Sequence, residues 1–117
     1  MDKFEHLKSS IINFRDQRNW AQFHTLKHLT TGLSIEVAEL AELMLWKTDD
    51  EVDELLKDAS FKREFQEECA DILNFLILIS DAADFDLVEA GIEKVAVNDK
   101  KYPADKARNT AKKYDKL

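Results

Sequence analysis

LSIEVAELAELMLW, residues 33–46, and ECADILNFLILI, residues 68–79, decide how this chain folds. Each is an apolar run entered by acids three residues apart: Glu36 and Glu39 in the first, Glu68 and Asp71 in the second. Three residues is close to one helical turn, so each pair shares a helix face. Carboxylates are rarely buried without partners. Two such pairs, ExxE and ExxD, facing each other across a helical core would form a cage of hard oxygen donors. That donor set suits a divalent cation such as Mg2+, with Mn2+ as a second choice. The cation in turn points to phosphate chemistry. Taken singly, an ExxE step reads as a solvated acidic face. The apolar flanks on both sides of both pairs count against that reading here.

Outward from these runs the pattern stays helical. Phe4, Leu7, Ile11 and Phe14 repeat with helical spacing, and Asp2 with Glu5 forms a capping box, which predicts a helix over 3–17. A second helix is expected over 25–47, with Leu26, Leu29, Leu33, Val37, Leu40 and Met44 on its apolar face. Gly32 inside it costs about 1 kcal/mol relative to alanine. Thr48 with Glu51 is another capping box, opening an acidic segment that reads as a short exposed helix or loop. A third helix is expected from Ser60 to about 83. Its run ILNFLILI, residues 72–79, is apolar all round and so buried on every side. Asp86 and Glu89 cap a fourth helix over 86–100, and Pro103 stops helix nearby, leaving a basic tail from about 101. The expected fold is all-α, a four-helix bundle in a single domain over 1–117. A helix buried all round in so short a chain needs more cover than three neighbours give. A homo-oligomer supplies it, most simply with two-fold symmetry.

Composition narrows the function. With 44% hydrophobic and 35% charged residues the chain is neither disordered nor membranous, and no apolar run is long enough to span a bilayer. The first ten residues lack the apolar core of a signal peptide. A net charge of −7 argues against nucleic-acid binding. Residues 94–117 nevertheless carry eight Lys or Arg against three Asp or Glu, a local +5. Cys69 is the only cysteine, so no internal disulfide forms and a reducing cytoplasm is expected. It lies on the apolar side of its helix and reads as packing, not as a nucleophile.

The remaining candidates are aromatic and basic. Trp20, Phe23 and His24 precede the second helix, and Trp46 lies at its end. Such residues serve as core or as a sandwich for a nucleobase. NDKKYPADKARNTAKKY, residues 98–114, mixes Lys with Tyr and Asn and is suited to gripping phosphates. A ferritin-like di-iron site requires Glu-x-x-His steps, and none of His6, His24 or His28 follows a Glu by three. Two other classes stay open on residues alone: a non-catalytic helical dimerisation module, and a carboxylate-bridged redox metal protein.

FHTLKHLTTGLSIEVAELAELMLWK (23–47), EECADILNFLILI (67–79), VNDKKYP (97–103) and KKY (112–114) together resemble the MazG-like nucleotide pyrophosphohydrolases. The similarity is to the small all-helical dCTP-pyrophosphatase branch and covers roughly residues 10–114. It implies a helical bundle assembled as dimers, often as tetramers. It also implies Mg2+-dependent hydrolysis of a (deoxy)nucleoside triphosphate to the monophosphate and pyrophosphate, a house-cleaning role in the nucleotide pool. The resemblance assigns metal binding and catalysis to Glu36, Glu39, Glu68 and Asp71. It assigns the nucleoside pocket to Trp20, Phe23, His24, Trp46 and Phe75, and phosphate contacts to Lys101 and Tyr102 with Asn98 nearby. The chain departs from the branch at Ile11, where a histidine is expected, and at Phe75, where a tyrosine is expected. Leu26 and His28 also replace the Pro and Asn of the FHxPKNL run. These changes remove polar groups from the base side. Hydrolysis of several deoxynucleoside triphosphates is therefore expected, dCTP among them, with backbone groups or Asn74 as the remaining polar readers.

Overall fold

In the computed structural model, which describes residues 2–117, six α-helices and two short 3₁₀ turns follow one another, and there is no strand among the described residues. The chain divides into two compact units, Met1–Asp84 and Phe85–Leu117.

In the first unit α1 spans Lys3–Gln17 behind the expected capping box, in which Asp2 accepts from the Glu5 N–H. It ends in a Schellman motif. The Trp20 N–H donates to the Arg15 carbonyl, the Asn19 N–H to that of Asp16, and Asn19 takes the left-handed conformation at φ 53°. That reversal folds Trp20 back against Phe14, edge to face at 5.7 Å. After a 3₁₀ turn at Ala21–Phe23, Thr25 caps α2, Leu26–Glu42, by accepting from the His28 N–H. The second helix is thus shorter than its apolar pattern. Residues 43–46 leave it as turns, and Trp46 adopts φ 64°. The reason lies just beyond, where Thr48 must be extended to cap α3, Asp49–Leu55, in the expected box with Glu51. Asp58 caps the long helix α4, Ala59–Ala83, which begins one residue before the expected Ser60 and stops where Asp84 turns left-handed.

α4 packs against α2 and α1. Leu29 and Ile77 are fully enclosed there. Gly32 makes the close approach of α2 to α4 possible: a Cβ on it would lie 2.6 Å from Cε1 of Phe75. The 72–79 run is less enclosed than its sequence implies. Ile77, Leu78 and Ser80 are buried, but Leu73 remains 40% exposed, because α1 and α2 cover only part of α4. Cys69 is exposed and does not pack in a core.

In the second unit Asp86 caps α5, Leu87–Lys101, by accepting from the Glu89 N–H. Ile92 and Val95 stand exposed on this helix. Pro103 does not end helical structure. It is the N-cap of a four-residue α6, Ala104–Ala107, consistent with proline's fitness for helix starts. Tyr102 and Tyr114 meet edge to face at 6.1 Å, with the Lys101 ammonium 5.1 Å from the Tyr114 ring. Among the described residues no helix is long and apolar enough to cross a membrane.

Candidate active site

The contact of α2 with α4 brings the two acidic pairs together. Glu36 and Glu39 leave one face of α2, and Glu68 faces them from α4. One carboxylate oxygen from each lies within 4.8 Å of the others. The Oε2 atoms of Glu36 and Glu68 are buried and have no hydrogen-bond partner. Burial, then the crowding of Glu39 and Asp71, pushes the Glu36 carboxyl up to about 7. Burial also raises the Glu68 carboxyl, with the charges of Glu39 and Asp71 adding to it and the Glu36 contact opposing it. Three carboxylates this close, two of them with orphaned oxygens, form a site short of positive charge. A divalent cation satisfies both deficits, so these residues fit a metal. Asp71 is not part of the three-residue cluster. One turn further along α4, it acts on Glu36 and Glu68 through its charge and lines the neighbouring cleft.

That cleft, of about 480 Å³, opens between α1, the Trp20–His24 segment and α4. Its apolar walls are Ile11, Phe14, Trp20, Phe75 and Leu78. Its polar groups are Ser10, Arg15, His24, Asp71 and Asn74. The Nδ1 atom of His24 is buried and unpartnered, and burial with the nearby Arg15 charge lowers its pKa, so the imidazole is neutral at pH 7. Arg15, its side chain 15% exposed, donates from Nη1 to Asp81 Oδ2 and from Nε to Asp16 Oδ1, both at 2.9 Å. Asp16 and then Asp81 strengthen its hold on its proton.

Of the residues assigned to a nucleoside pocket, Trp20, His24 and Phe75 line the cleft. Phe23 and Trp46 do not; Trp46 is 92% exposed on its left-handed turn. Asn98 and Lys101 lie on α5 of the second unit, and Tyr102 caps that helix. Arg15 escaped the sequence reading. The signal was there: it continues the Leu7, Ile11 stripe at the next i+4 step, a lone cation on an apolar face.

Comparison with known proteins identifies the family. The model of the MazG-like family matches residues 32–117. The chain is 35% identical to dCTP pyrophosphatase 1 of Homo sapiens over 113 residues, 97% of this chain and 66% of that protein. It is 34% identical, over the same shares, to dCTP pyrophosphatase 1 of Mus musculus. It therefore spans just under two thirds of the length of these relatives. The crystal structure of a pyrophosphatase from Archaeoglobus fulgidus superposes with a TM-score of 0.81 at 39% identity, covering 88% of this chain and 94% of the other. The chain belongs to the MazG-like family.

Proposed function

We propose that this chain is a Mg2+-dependent nucleoside triphosphate pyrophosphohydrolase, converting a deoxynucleoside triphosphate to the monophosphate and pyrophosphate. The observation that carries the reading is the cation-deficient Glu36, Glu39 and Glu68 cluster, coupled through Asp71 to a cleft with a stacking wall. The relatives named for dCTP pyrophosphatase and pyrophosphatase activity support it.

Glu36, Glu39, Glu68 and Asp71 would hold the cation. When bound, it supplies charge neutralisation to the phosphate oxygens and lowers the pKa of water. Trp20 and Phe75 offer ring faces to the base, and Leu78 and Ile11 exclude water beside it. Hydrolysis places one water across the α–β anhydride: its oxygen joins the α-phosphorus and pyrophosphate leaves. Glu39, the exposed member of the cluster, accepts the proton in our reading, with Glu67 as the alternative. Asn98, Lys101 and Tyr102 are assigned to the leaving pyrophosphate as charge-assisted donors. We read residues 1–117 as one catalytic domain, since the family match runs through both compact units. We also read it as a homo-oligomer, dimer or tetramer with the tetramer preferred, which would cover Ile92, Val95 and Leu73. We read its role as the cytoplasmic clearing of unwanted nucleotides.

The test is pyrophosphate release by the purified chain from each common deoxynucleoside triphosphate, in Mg2+, Mn2+ or EDTA. Release in metal and none in EDTA is expected. Release of single phosphates, or no release from any nucleotide, would refute the reading.

A further inference from the structure

Asn74 and Arg15 are among the polar side chains of the cleft that have no role in the chemistry above. Asn74 is half-buried beside Phe75 and Leu78, and its amide makes no hydrogen bond among the described residues. The amide is open to the cleft and not enclosed by protein, so it is free to meet a ligand there. Arg15 reaches the same cleft from α1. Its bonds to Asp16 and Asp81 use two of its five N–H donors and fix the fork in place. Asp81 lies seven residues beyond Asn74 on α4, two helical turns along the same face. The anchor of Arg15 and the free amide thus belong to one stripe. The unpartnered Nδ1 of His24, in the same cleft, shows a third polar group awaiting a partner.

We propose that Asn74 and Arg15 read the base, and that they select a nucleotide with a lactam edge (uracil, thymine, guanine or hypoxanthine) over one with an amino edge. The proposal rests on the nucleotide reading of the cleft. Arg15 only donates and carries positive charge, so the atom that meets it must be an acceptor. Asn74 supplies one donor and one acceptor. Together they present donor, donor, acceptor. A carbonyl next to a ring N–H is complementary: its oxygen accepts from Arg15 and Asn74, and its N–H donates to the Asn74 oxygen. At that edge cytosine and adenine offer an amino group beside a bare ring nitrogen. The amino group would face the Arg15 donors, and the unmet bonds disfavour it. The weak base discrimination expected from Ile11 and Phe75 alone is thereby overridden, because sites that read hydrogen bonds discriminate more strongly than apolar ones.

Size-matched pairs isolate this edge: dUTP against dCTP, and dITP against dATP. kcat/KM is expected to favour the lactam member of each pair by roughly 100-fold. In Asn74→Leu, which suits a helix, each ratio should fall below about 10. Arg15→Lys, which keeps the charge and loses the fork, should also lower both ratios. Calorimetric binding of dUMP and dCMP without metal separates the two readings. If no triphosphate is hydrolysed but dUMP binds more tightly than dCMP and Asn74→Leu erases the difference, the hydrolase reading fails and base selection stands. If triphosphates are hydrolysed but neither pair shows a preference, or Asn74→Leu leaves the ratios unchanged, base selection is overturned and the hydrolase reading stands.

Discussion

Replacing Glu36 with glutamine should make the metal-free protein more stable at pH 8 while ending its response to Mg2+. Glu36 ionises at about 7 in the fold, against an ordinary 4.5. Holding it charged at pH 8 therefore costs the fold at most roughly 3 kcal/mol, at 1.36 kcal/mol per unit. The cluster is partly open to water, and screening reduces this to about 1 kcal/mol. The sign follows from proton binding. Between pH 4.5 and about 7 the folded state holds a proton that the unfolded state has lost, so stability falls as pH rises through that window. The penalty is complete above it. Glutamine keeps the shape, removes the charge and can donate to a neighbouring carboxylate. For a chain of this size the gain corresponds to about 4 °C in Tm. Differential scanning calorimetry in EDTA, at one protomer concentration, should show Glu36→Gln melting above the parent at pH 8, with the gap narrowing towards pH 5. On adding millimolar Mg2+ the parent should rise and the variant should not, since only a ligand of the native state shifts the melt. A variant that melts at or below the parent in EDTA at pH 8 would refute the reasoning, because burial and crowding would then not penalise a charged Glu36.

Metal affinity should rise with pH up to about 7 and then level off, because the cation displaces the Glu36 proton; the slope is up to about tenfold per pH unit, measured by calorimetry at pH 6, 7 and 8, and a flat profile from 6 to 7 contradicts it. Gly32→Ala should destabilise by about 1 kcal/mol despite alanine's better helix propensity, because the added Cβ meets the Phe75 ring at 2.6 and 2.8 Å; urea melts decide the sign. Asp81→Asn should cost about 1–2 kcal/mol in the same assay, since it weakens the 2.9 Å pair with the largely enclosed Arg15, and an unchanged midpoint would show that Asp16 alone suffices.

What sequence revealed and what it hid divide along physical lines. Capping boxes are local, and those at Asp2 and Thr48 form as written. The end of α2 was hidden because the apolar period runs on through Leu43–Trp46 although the backbone has already turned out of the helix. Periodicity reports which face is apolar, not where helical dihedrals stop, and the extended Thr48 cap decides that. Proline at 103 was read as a stop although its fixed φ equally suits a helix start. The metal acids were visible as pairs, but a step of three residues rotates roughly 60° short of a full turn. That offset is the same in both pairs; it is the contact of α2 with α4 that gathers Glu36, Glu39 and Glu68 and leaves Asp71 at the cleft. Arg15 was hidden because its meaning comes from Asp81, 66 residues away.

One helix orders both ends of the proposed site. Along α4 the chain sets Glu68, Asp71, Asn74, Phe75, Leu78 and Asp81 at successive steps of one or three residues, so all six fall on one side of the helix. The first belongs to the acid cluster, the second couples cluster to cleft, and the next three line the cleft. The last holds Arg15. At 1.5 Å per residue, Glu68 and Asn74 are separated by about 9 Å along the axis. That rigid spacing is on the scale of a nucleoside between its 5′ oxygen and its base edge. The register of α4 against α2 is fixed where Phe75 fills the space left by Gly32. The same contact therefore sets the acid cluster and the position of Asn74 together. A slip that spoiled one would spoil the other, which is why base selection and metal binding need no separate scaffold in so short a chain.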